Sequence, residues 1–176
     1  MGKVIAVEYV TVDGVFEEPG LWSMPYFNEE LANFQSENMR EATALLLGRK
    51  TYEGFKAVWP RIPADQGGRE MNGMPKWVAT TTLTEPEWNA TFLQGDVADA
   101  VAKLKTEPGT LLINGSATLL NHLTRQNLVD EFRIMVFPLV RGEGPKLWAE
   151  GTKVALKLTK TFHTATGVEV LTYVPA

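Results

Sequence analysis

The stretch LLINGSATLL, Leu111 to Leu120, decides the fold because it joins two regular elements through a very short corner. Its first apolar residues are typical of a buried strand, and the second apolar run predicts a helix that continues to about Thr124. The Asn-Gly-Ser corner between them either only turns the chain or also binds an anion, because free N–H groups at a helix N-terminus attract negative charge. These residues alone leave both interpretations open.

Strands and helices alternate on either side of this corner. Val4 to Val12 is an apolar strand of the kind that is buried on both faces. Further elements are predicted as helices at 24–38, 49–58 and 96–107, strands at 44–47, 77–80, 132–137, 154–162 and 168–174, and a loop at 60–75. This order predicts an α/β protein with a mixed, mostly parallel central sheet and antiparallel strands at the C-terminus.

Composition narrows the function. A chain of 176 residues, with 44% hydrophobic and 22% charged residues, predicts one folded domain over residues 1–176. A net charge of −4 without a basic stretch argues against nucleic acid, and no apolar run is long enough for a membrane span. The absence of cysteine is compatible with the cytoplasm. His122 and His163 lie far apart, so we expect neither a metal site nor a serine–histidine triad.

Three predicted strand ends carry small, polar or basic residues. In LLLGRKTYEGF, Gly48 allows close backbone approach, Arg49 suits a phosphate and Thr51 is able to cap the next helix. The second strand end is VATTTL at 78–83, and the third is INGSA at 113–117, where Ser116 is able to cap. Ordinary turns and solvent-exposed charges explain each corner singly. Together, on one edge of a parallel sheet, the three corners suit the phosphates of a dinucleotide.

Several motifs, taken in chain order, resemble the dihydrofolate-reductase-like reductases. The closest branch is the C-terminal reductase domain of the bifunctional riboflavin-biosynthesis deaminase-reductase. The motifs are TVDG at 11–14, LLGRKTYE at 46–53, Trp59-Pro60, MNGMPKWV at 71–78, LVDE at 128–131 and the segment 138–148. The resemblance implies a three-layer α/β/α fold that binds NADPH along the C-terminal edge of its sheet. NADH is not excluded, because Thr80-Thr81 replaces a Ser-Arg pair that suits the 2′-phosphate. The resemblance also implies a homodimer, and the absence of cysteine makes the cytoplasm the expected location.

Site residues follow from this resemblance. The expected cofactor residues are Gly48, Arg49, Thr51, Thr80, Thr81, Leu83, Asn114, Gly115, Ser116, Ala117 and Thr118, with an N–H of Ser116 or Ala117 donated to a phosphate. The expected catalytic carboxylates are Asp13 and Glu30, and the expected substrate contacts are Gly14, Trp22 and Phe34. Loose candidates for binding a substrate phosphate are Lys76, Arg141 and Lys146.

The resemblance implies an NADPH-dependent reductase of a flat heterocycle. The most similar activity is that of a 5-amino-6-(5-phosphoribosylamino)uracil reductase of riboflavin biosynthesis. Two alternatives stay open, a dihydrofolate reductase and a non-catalytic nucleotide- or flavin-binding module. The chain lacks the length and the zinc ligands of a deaminase domain, so it matches at most the reductase half.

Overall fold

A computed structural model describes all 176 residues. The strands are β1 (Lys3–Thr11), β2 (Ala44–Gly48), β3 (Lys76–Ala79), β4 (Ala90–Phe92), β5 (Thr110–Asn114), β6 (Glu131–Phe137), β7 (Leu156–His163) and β8 (Glu169–Pro175). The helices are α1 (Pro19–Trp22), α2 (Glu29–Glu41), α3 (Arg49–Val58), α4 (Gly68–Gly73), α5 (Val97–Leu104) and α6 (Ala117–Arg125). None of these helices has the length and apolar character needed to cross a membrane.

All eight strands form one sheet in the order β4-β3-β2-β5-β1-β6-β8-β7. The first six strands in this order, from β4 at the edge across to β6, pair in parallel. Strand β8 pairs antiparallel with both β6 and β7. The predicted mixed, mostly parallel sheet is therefore confirmed. Because β3, β2, β5 and β1 are parallel neighbours, their carboxyl ends lie at the same edge of the sheet.

Helices cover both faces of the sheet, which confirms the three-layer α/β/α fold. On one face, Val101 of α5 and Leu120 of α6 pack in a cluster with Val4 and Ala6 of β1. On the other face, the elements α2, α3 and α4 contribute Leu31, Tyr52 and Met71 to a second buried cluster. Strand β1 supplies both clusters because successive side chains of a strand point to opposite faces.

Two predicted elements were wrong in detail. The helix expected from Met24 starts only at Glu29, because the Asn28 side chain accepts a hydrogen bond from the Leu31 N–H at 3.1 Å and caps the helix there. Met24–Tyr26 forms a separate 3₁₀ turn. The loop expected at 60–75 contains the short helix α4, and the edge strand β4 was not predicted at all.

Asn121 holds the segment from residue 145 to 152 against α6. Its side-chain amide donates to the Leu147 carbonyl at 2.7 Å, and its carbonyl accepts from the Ala149 N–H at 2.9 Å and from the Thr152 hydroxyl at 2.8 Å. The Asn121 residue is buried, so water does not replace these bonds. One buried amide thereby fixes a long irregular segment.

We expect Asn121→Leu to lower the free energy of unfolding by about 2–4 kcal/mol, because buried backbone groups of the segment lose their partner. Chemical denaturation measures the effect. The matched control is Gln126→Ala at the exposed end of α6, which we expect to change stability by less than about 0.5 kcal/mol. Equal stability of Asn121→Leu and wild type would contradict this account of the segment.

Candidate active site

A cleft of about 1980 Å³ opens at the carboxyl ends of β1, β2, β3 and β5. We call it the strand-end cleft. It is lined by all the predicted cofactor residues except Leu83, namely Gly48, Arg49, Thr51, Thr80, Thr81, Asn114, Gly115, Ser116, Ala117 and Thr118. The three corners picked out in the sequence thus meet in one place, although residues 48 and 116 lie far apart in the chain.

Two hydrogen bonds lock the first and third corners together. The Gly48 N–H donates to the Ser116 hydroxyl at 2.9 Å, and the Ser116 N–H donates to the Thr51 hydroxyl at 3.0 Å. The expectation that Thr51 and Ser116 cap helices with their side chains was wrong, because both hydroxyls serve this lock and neither helix has a side-chain cap. The Ser116 N–H is also not free for a phosphate. Ala117 remains as the nearest backbone donor.

Helix α6 presents its N-terminus to the strand-end cleft. Its first-turn N–H groups, beginning with Ala117, have no acceptor within the helix, and Thr118 is exposed beside them. Gly115 (φ +60°) and Ser116 (φ +55°) both adopt the left-handed conformation that turns β5 sharply into α6. The Asn114–Gly115 peptide bond is trans. The corner between β5 and α6 therefore presents the first-turn N–H groups of α6 as hydrogen-bond donors to the cleft.

The other two corners differ in what they offer. Arg49 forms a half-exposed ion pair with Glu53 at 2.8 Å, so its guanidinium keeps donors for a further anion. The Thr80 hydroxyl accepts from the Thr82 and Leu83 N–H groups at 3.3 and 3.1 Å, which closes a local turn. Leu83 packs against the core beyond this turn, which explains why it does not line the cleft.

The two predicted catalytic carboxylates lie outside the strand-end cleft. Asp13 accepts hydrogen bonds from the Thr11 hydroxyl at 2.6 Å and from the Gly142 N–H at 2.8 Å, and these bonds hold the pKa of Asp13 well below its usual range. Glu30 accepts from the Ala165 N–H at 2.8 Å, which lowers the pKa of Glu30. The lowered pKa values favour the ionised forms, with Asp13 joining the turn after β1 to the loop at 141–142 and Glu30 joining α2 to the turn between β7 and β8.

The predicted substrate contacts also lie elsewhere. Trp22 is buried against Phe137, Phe34 packs edge-on against Phe162, and Gly14 occupies the turn after β1. None of the three lines the strand-end cleft. The aromatic side chains that do so are Tyr9, Phe16, Phe27, Phe55 and Trp59. The sequence shows where the aromatic residues are, and its periodicity predicts which of them are buried. It does not show which of them face a cavity.

Glu8 was missed in the sequence. It lines the strand-end cleft from the middle of β1, only 2% of its surface is exposed, and its Oε1 atom has no hydrogen-bond partner. Burial raises the pKa of Glu8 well above its ordinary value, and a hydrogen bond from the Gly115 backbone only partly opposes this. The available signal was a single acidic residue within the apolar run VIAVEYV.

The fold and the cleft together define an α/β protein of the dihydrofolate-reductase-like class. Three solved structures share this fold. The putative riboflavin biosynthesis protein from Shewanella sp. PV-4 has a TM-score of 0.82 at 20% identity, covering 100% of this chain and 99% of that one. A pyrimidine reductase-like protein from Corynebacterium diphtheriae has a TM-score of 0.68 at 11% identity, covering 99% and 92%. Dihydrofolate reductase from Enterococcus faecalis, complexed with NADP(H), has a TM-score of 0.66 at 17% identity, covering 98% and 96%.

The chain belongs to the RibD C-terminal domain family, whose model matches residues 2–172. It is also similar to two proteins of Bacillus subtilis (strain 168). The uncharacterized protein YwjB is 31% identical over 170 residues, covering 93% of this chain and 94% of that protein. The uncharacterized protein YyaP is 28% identical over 141 residues, covering 77% and 75%. The resemblance drawn from the sequence motifs is confirmed.

The raised pKa of Glu8 predicts a pH-dependent effect of Glu8→Gln on stability. Above the ordinary value of 4.5, the unfolded chain loses a proton that the folded protein keeps, so the stability of the wild type falls as pH rises. The variant lacks this penalty. Its stability relative to wild type therefore increases with pH until folded Glu8 ionises.

Chemical denaturation from about pH 4 to about pH 8 measures this difference in the free energy of unfolding. Glu37→Gln, at an exposed position of α2 outside the strand-end cleft, is the matched control and should show no such trend. A pH-independent difference between Glu8→Gln and wild type would show that Glu8 ionises normally.

Proposed function

We propose that this protein is an NADPH-dependent reductase that transfers hydride to a flat heterocycle, with residues 1–176 working as one reductase domain. The most similar activity is that of a 5-amino-6-(5-phosphoribosylamino)uracil reductase. The observation that carries the proposal is the meeting of three strand-end corners in one large cleft, in a chain of a reductase family. Ligands of open α/β sheets bind at this edge.

The donors in the strand-end cleft fit a dinucleotide. The first-turn N–H groups of α6, from Ala117 onward, suit a pyrophosphate. The absence of a side chain at Gly48 leaves room for Ser116 to pack against that corner. The Arg49 guanidinium suits the 2′-phosphate of NADPH, which offsets the lack of a basic residue at Thr80-Thr81. When bound, the reduced nicotinamide supplies the hydride. The chain positions it and excludes water.

The walls of the strand-end cleft fit a flat ring. Phe55 and Trp59 pack edge-on with ring centroids 6.4 Å apart, and Phe27 lies on the same lining. Of the basic candidates for a substrate phosphate, only Lys146 lines the cleft. Lys76 is buried and donates to the Met71 carbonyl at 2.5 Å, so it serves the fold.

Glu30 gives no support to the dihydrofolate reductase alternative. The resemblance implies Glu30 as a catalytic carboxylate, but Glu30 is exposed and accepts a hydrogen bond from the Ala165 N–H. It does not line the strand-end cleft. A substrate of this protein therefore requires a different polar anchor from the one that the resemblance implies.

Cofactor binding and turnover test the proposal separately. Trp59 lines the cleft, so titration with NADPH should quench tryptophan fluorescence or transfer energy to the reduced nicotinamide. Loss of the nicotinamide absorbance is then followed across pyrimidine, pterin and quinone substrates. Absence of NADPH and NADH binding at millimolar cofactor would exclude the proposal. Binding without consumption would instead favour a nucleotide-binding module.

We expect Thr118→Asp to weaken NADPH binding about tenfold or more, because it puts a negative charge beside the expected pyrophosphate. The same change favours the N-terminus of α6, so stability should stay equal or rise by about 0.3–1 kcal/mol. Thr118→Asn is the neutral control and should retain binding. Fluorescence titration and thermal denaturation read the two effects. If Thr118→Asp binds NADPH as tightly as wild type, the pyrophosphate does not bind at this corner.

We expect Arg49→Gln to reduce NADPH affinity roughly tenfold to a hundredfold, the range for a lost hydrogen-bonded charge pair. NADH affinity should change little, because NADH lacks the 2′-phosphate. The variant also loses the exposed ion pair with Glu53, which contributes little to stability. Parallel titrations with both cofactors measure the ratio. If affinity falls equally for NADPH and NADH, Arg49 binds a part of the cofactor other than the 2′-phosphate.

A further inference from the structure

Glu8 lies where the sheet opens into the strand-end cleft. The last paired residues of β1 and β5 are Val7 and Asn114, and the chain of β5 then turns away through Gly115 into α6. Glu8 is thus the first residue of β1 beyond the end of its neighbour. Parallel strands bind ligands in the crevice that such a departure creates.

Nothing in the fold requires an acid at this position. Ala6 and Val10, which share the face of β1 with Glu8, both belong to a purely apolar cluster. The Oε1 atom of Glu8 has no partner, and Glu8 forms no ion pair. An unpartnered buried polar atom costs stability, so an apolar side chain would serve the fold better.

The charged groups around the strand-end cleft leave Glu8 without a cation. The titratable residues that line the cleft are Tyr9 on β1, Glu17 and Glu18 after β1, Arg40 on α2, Arg49 and Lys50 on α3, Asp65 before α4, Arg69 and Glu70 on α4, Asp96 before α5, His122 on α6, and Lys146. None of them forms an ion pair with Glu8. Lys146 donates to the Asp13 carbonyl at 2.6 Å, and Arg49 pairs with Glu53. The pKa of the Glu8 carboxyl is therefore set by burial, which raises it, and by the Gly115 backbone, which lowers it.

We propose that Glu8 is the proton donor of the reduction, a role that rests on the proposed function. Hydride reaches the carbon of a C=N or C=O bond, or one carbon of a C=C bond, in the substrate, and the two electrons of the π bond move to the other atom. That atom takes the proton from the Glu8 carboxyl, so one O–H bond breaks and one N–H, O–H or C–H bond forms. The Glu8 carboxylate then regains a proton from water.

A neutral Glu8 is also compatible with an anionic cofactor nearby. Gly115 lines the strand-end cleft together with Glu8, and the next residues open the N-terminus of α6, where the pyrophosphate is expected. A carboxylate at this point would repel the phosphates, whereas a protonated carboxyl does not. The same burial that raises the pKa of Glu8 therefore favours the form that tolerates the cofactor.

The first test reads Glu8 itself, without turnover. Carboxyl-labelled glutamate is titrated by ¹³C NMR, and the Glu8 resonance is assigned by its loss in Glu8→Gln. The oxidised nicotinamide ring is cationic, so NADP⁺ should lower the Glu8 pKa by about one unit or more relative to NADPH. An identical Glu8 pKa in the two complexes would place Glu8 away from the reacting ring and overturn the proposal.

The second test reads the chemical step, with the substrate that the panel identifies. Single-turnover hydride transfer by wild type should fall on the alkaline side as Glu8 ionises. Glu8→Gln should be about a hundredfold slower or more and lose this pH dependence, whereas Glu8→Asp keeps it. NADPH dissociation constants should stay within about twofold of wild type. Glu37→Gln, which lies outside the cleft, is the control.

The outcomes separate the two proposals. If wild type does not bind NADPH, the proposed function fails. If Glu8→Gln reduces the substrate at the wild-type rate with an unchanged pH profile, the reductase stands and the role of Glu8 is overturned. If Glu8→Gln loses cofactor binding in proportion to rate, Glu8 positions the cofactor and is not the acid.

Discussion

The lock between the Gly48 and Ser116 corners is the constraint on which the site depends. At each corner the strand ends and its last backbone N–H groups have no partner in the sheet. Such donors need another partner when they are buried. Ser116 and Thr51 satisfy two of them with one hydroxyl each. The corners of β2 and β5 are therefore held at fixed separation, while the first turn of α6 keeps its donors free for a ligand.

The two hydroxyls also explain why local motifs misassigned these residues. A Ser or Thr at the start of a helix is usually a cap, and sequence spacing has no access to a partner 65 residues away. The structure uses Thr51 and Ser116 across the sheet because β2 and β5 are neighbours. Strand neighbours are set by the topology of the whole chain, which short patterns do not encode.

The elements that could be predicted from sequence are those with strong periodicity. The apolar runs of β1, β2 and β5 need burial on both faces. The start of α5 carries a local signal, because the Asp96 side chain accepts a hydrogen bond from the Asp99 N–H and caps the helix. The edge strand β4 has three residues and no such pattern. Strand-end corners were predictable as a group because all parallel strands of one sheet end on one side.

Individual side-chain roles were less predictable, and Asp13 and Glu8 show why. A carboxylate after a strand suggests chemistry by its position, yet Asp13 finds hydroxyl and backbone donors and becomes a fixed, ionised joint between loops. Glu8 lies in an apolar run of β1 and is buried without hydrogen-bond donors, apart from the Gly115 backbone. What separates a structural carboxylate from a reactive one is thus the supply of hydrogen bonds, which only the folded chain fixes.

That difference bears on how a site for an anion and an acid can coexist. The free donors of α6 favour negative charge beside Gly115, and they would also favour an ionised Glu8 if its carboxyl faced them fully. Only the Gly115 backbone reaches Glu8, and burial has the larger effect on its pKa. The N–H groups in the first turn of α6 are therefore available to a ligand. The pKa of Glu8 is raised because the chain of β5, which could have supplied more donors to its carboxylate, turns away into α6.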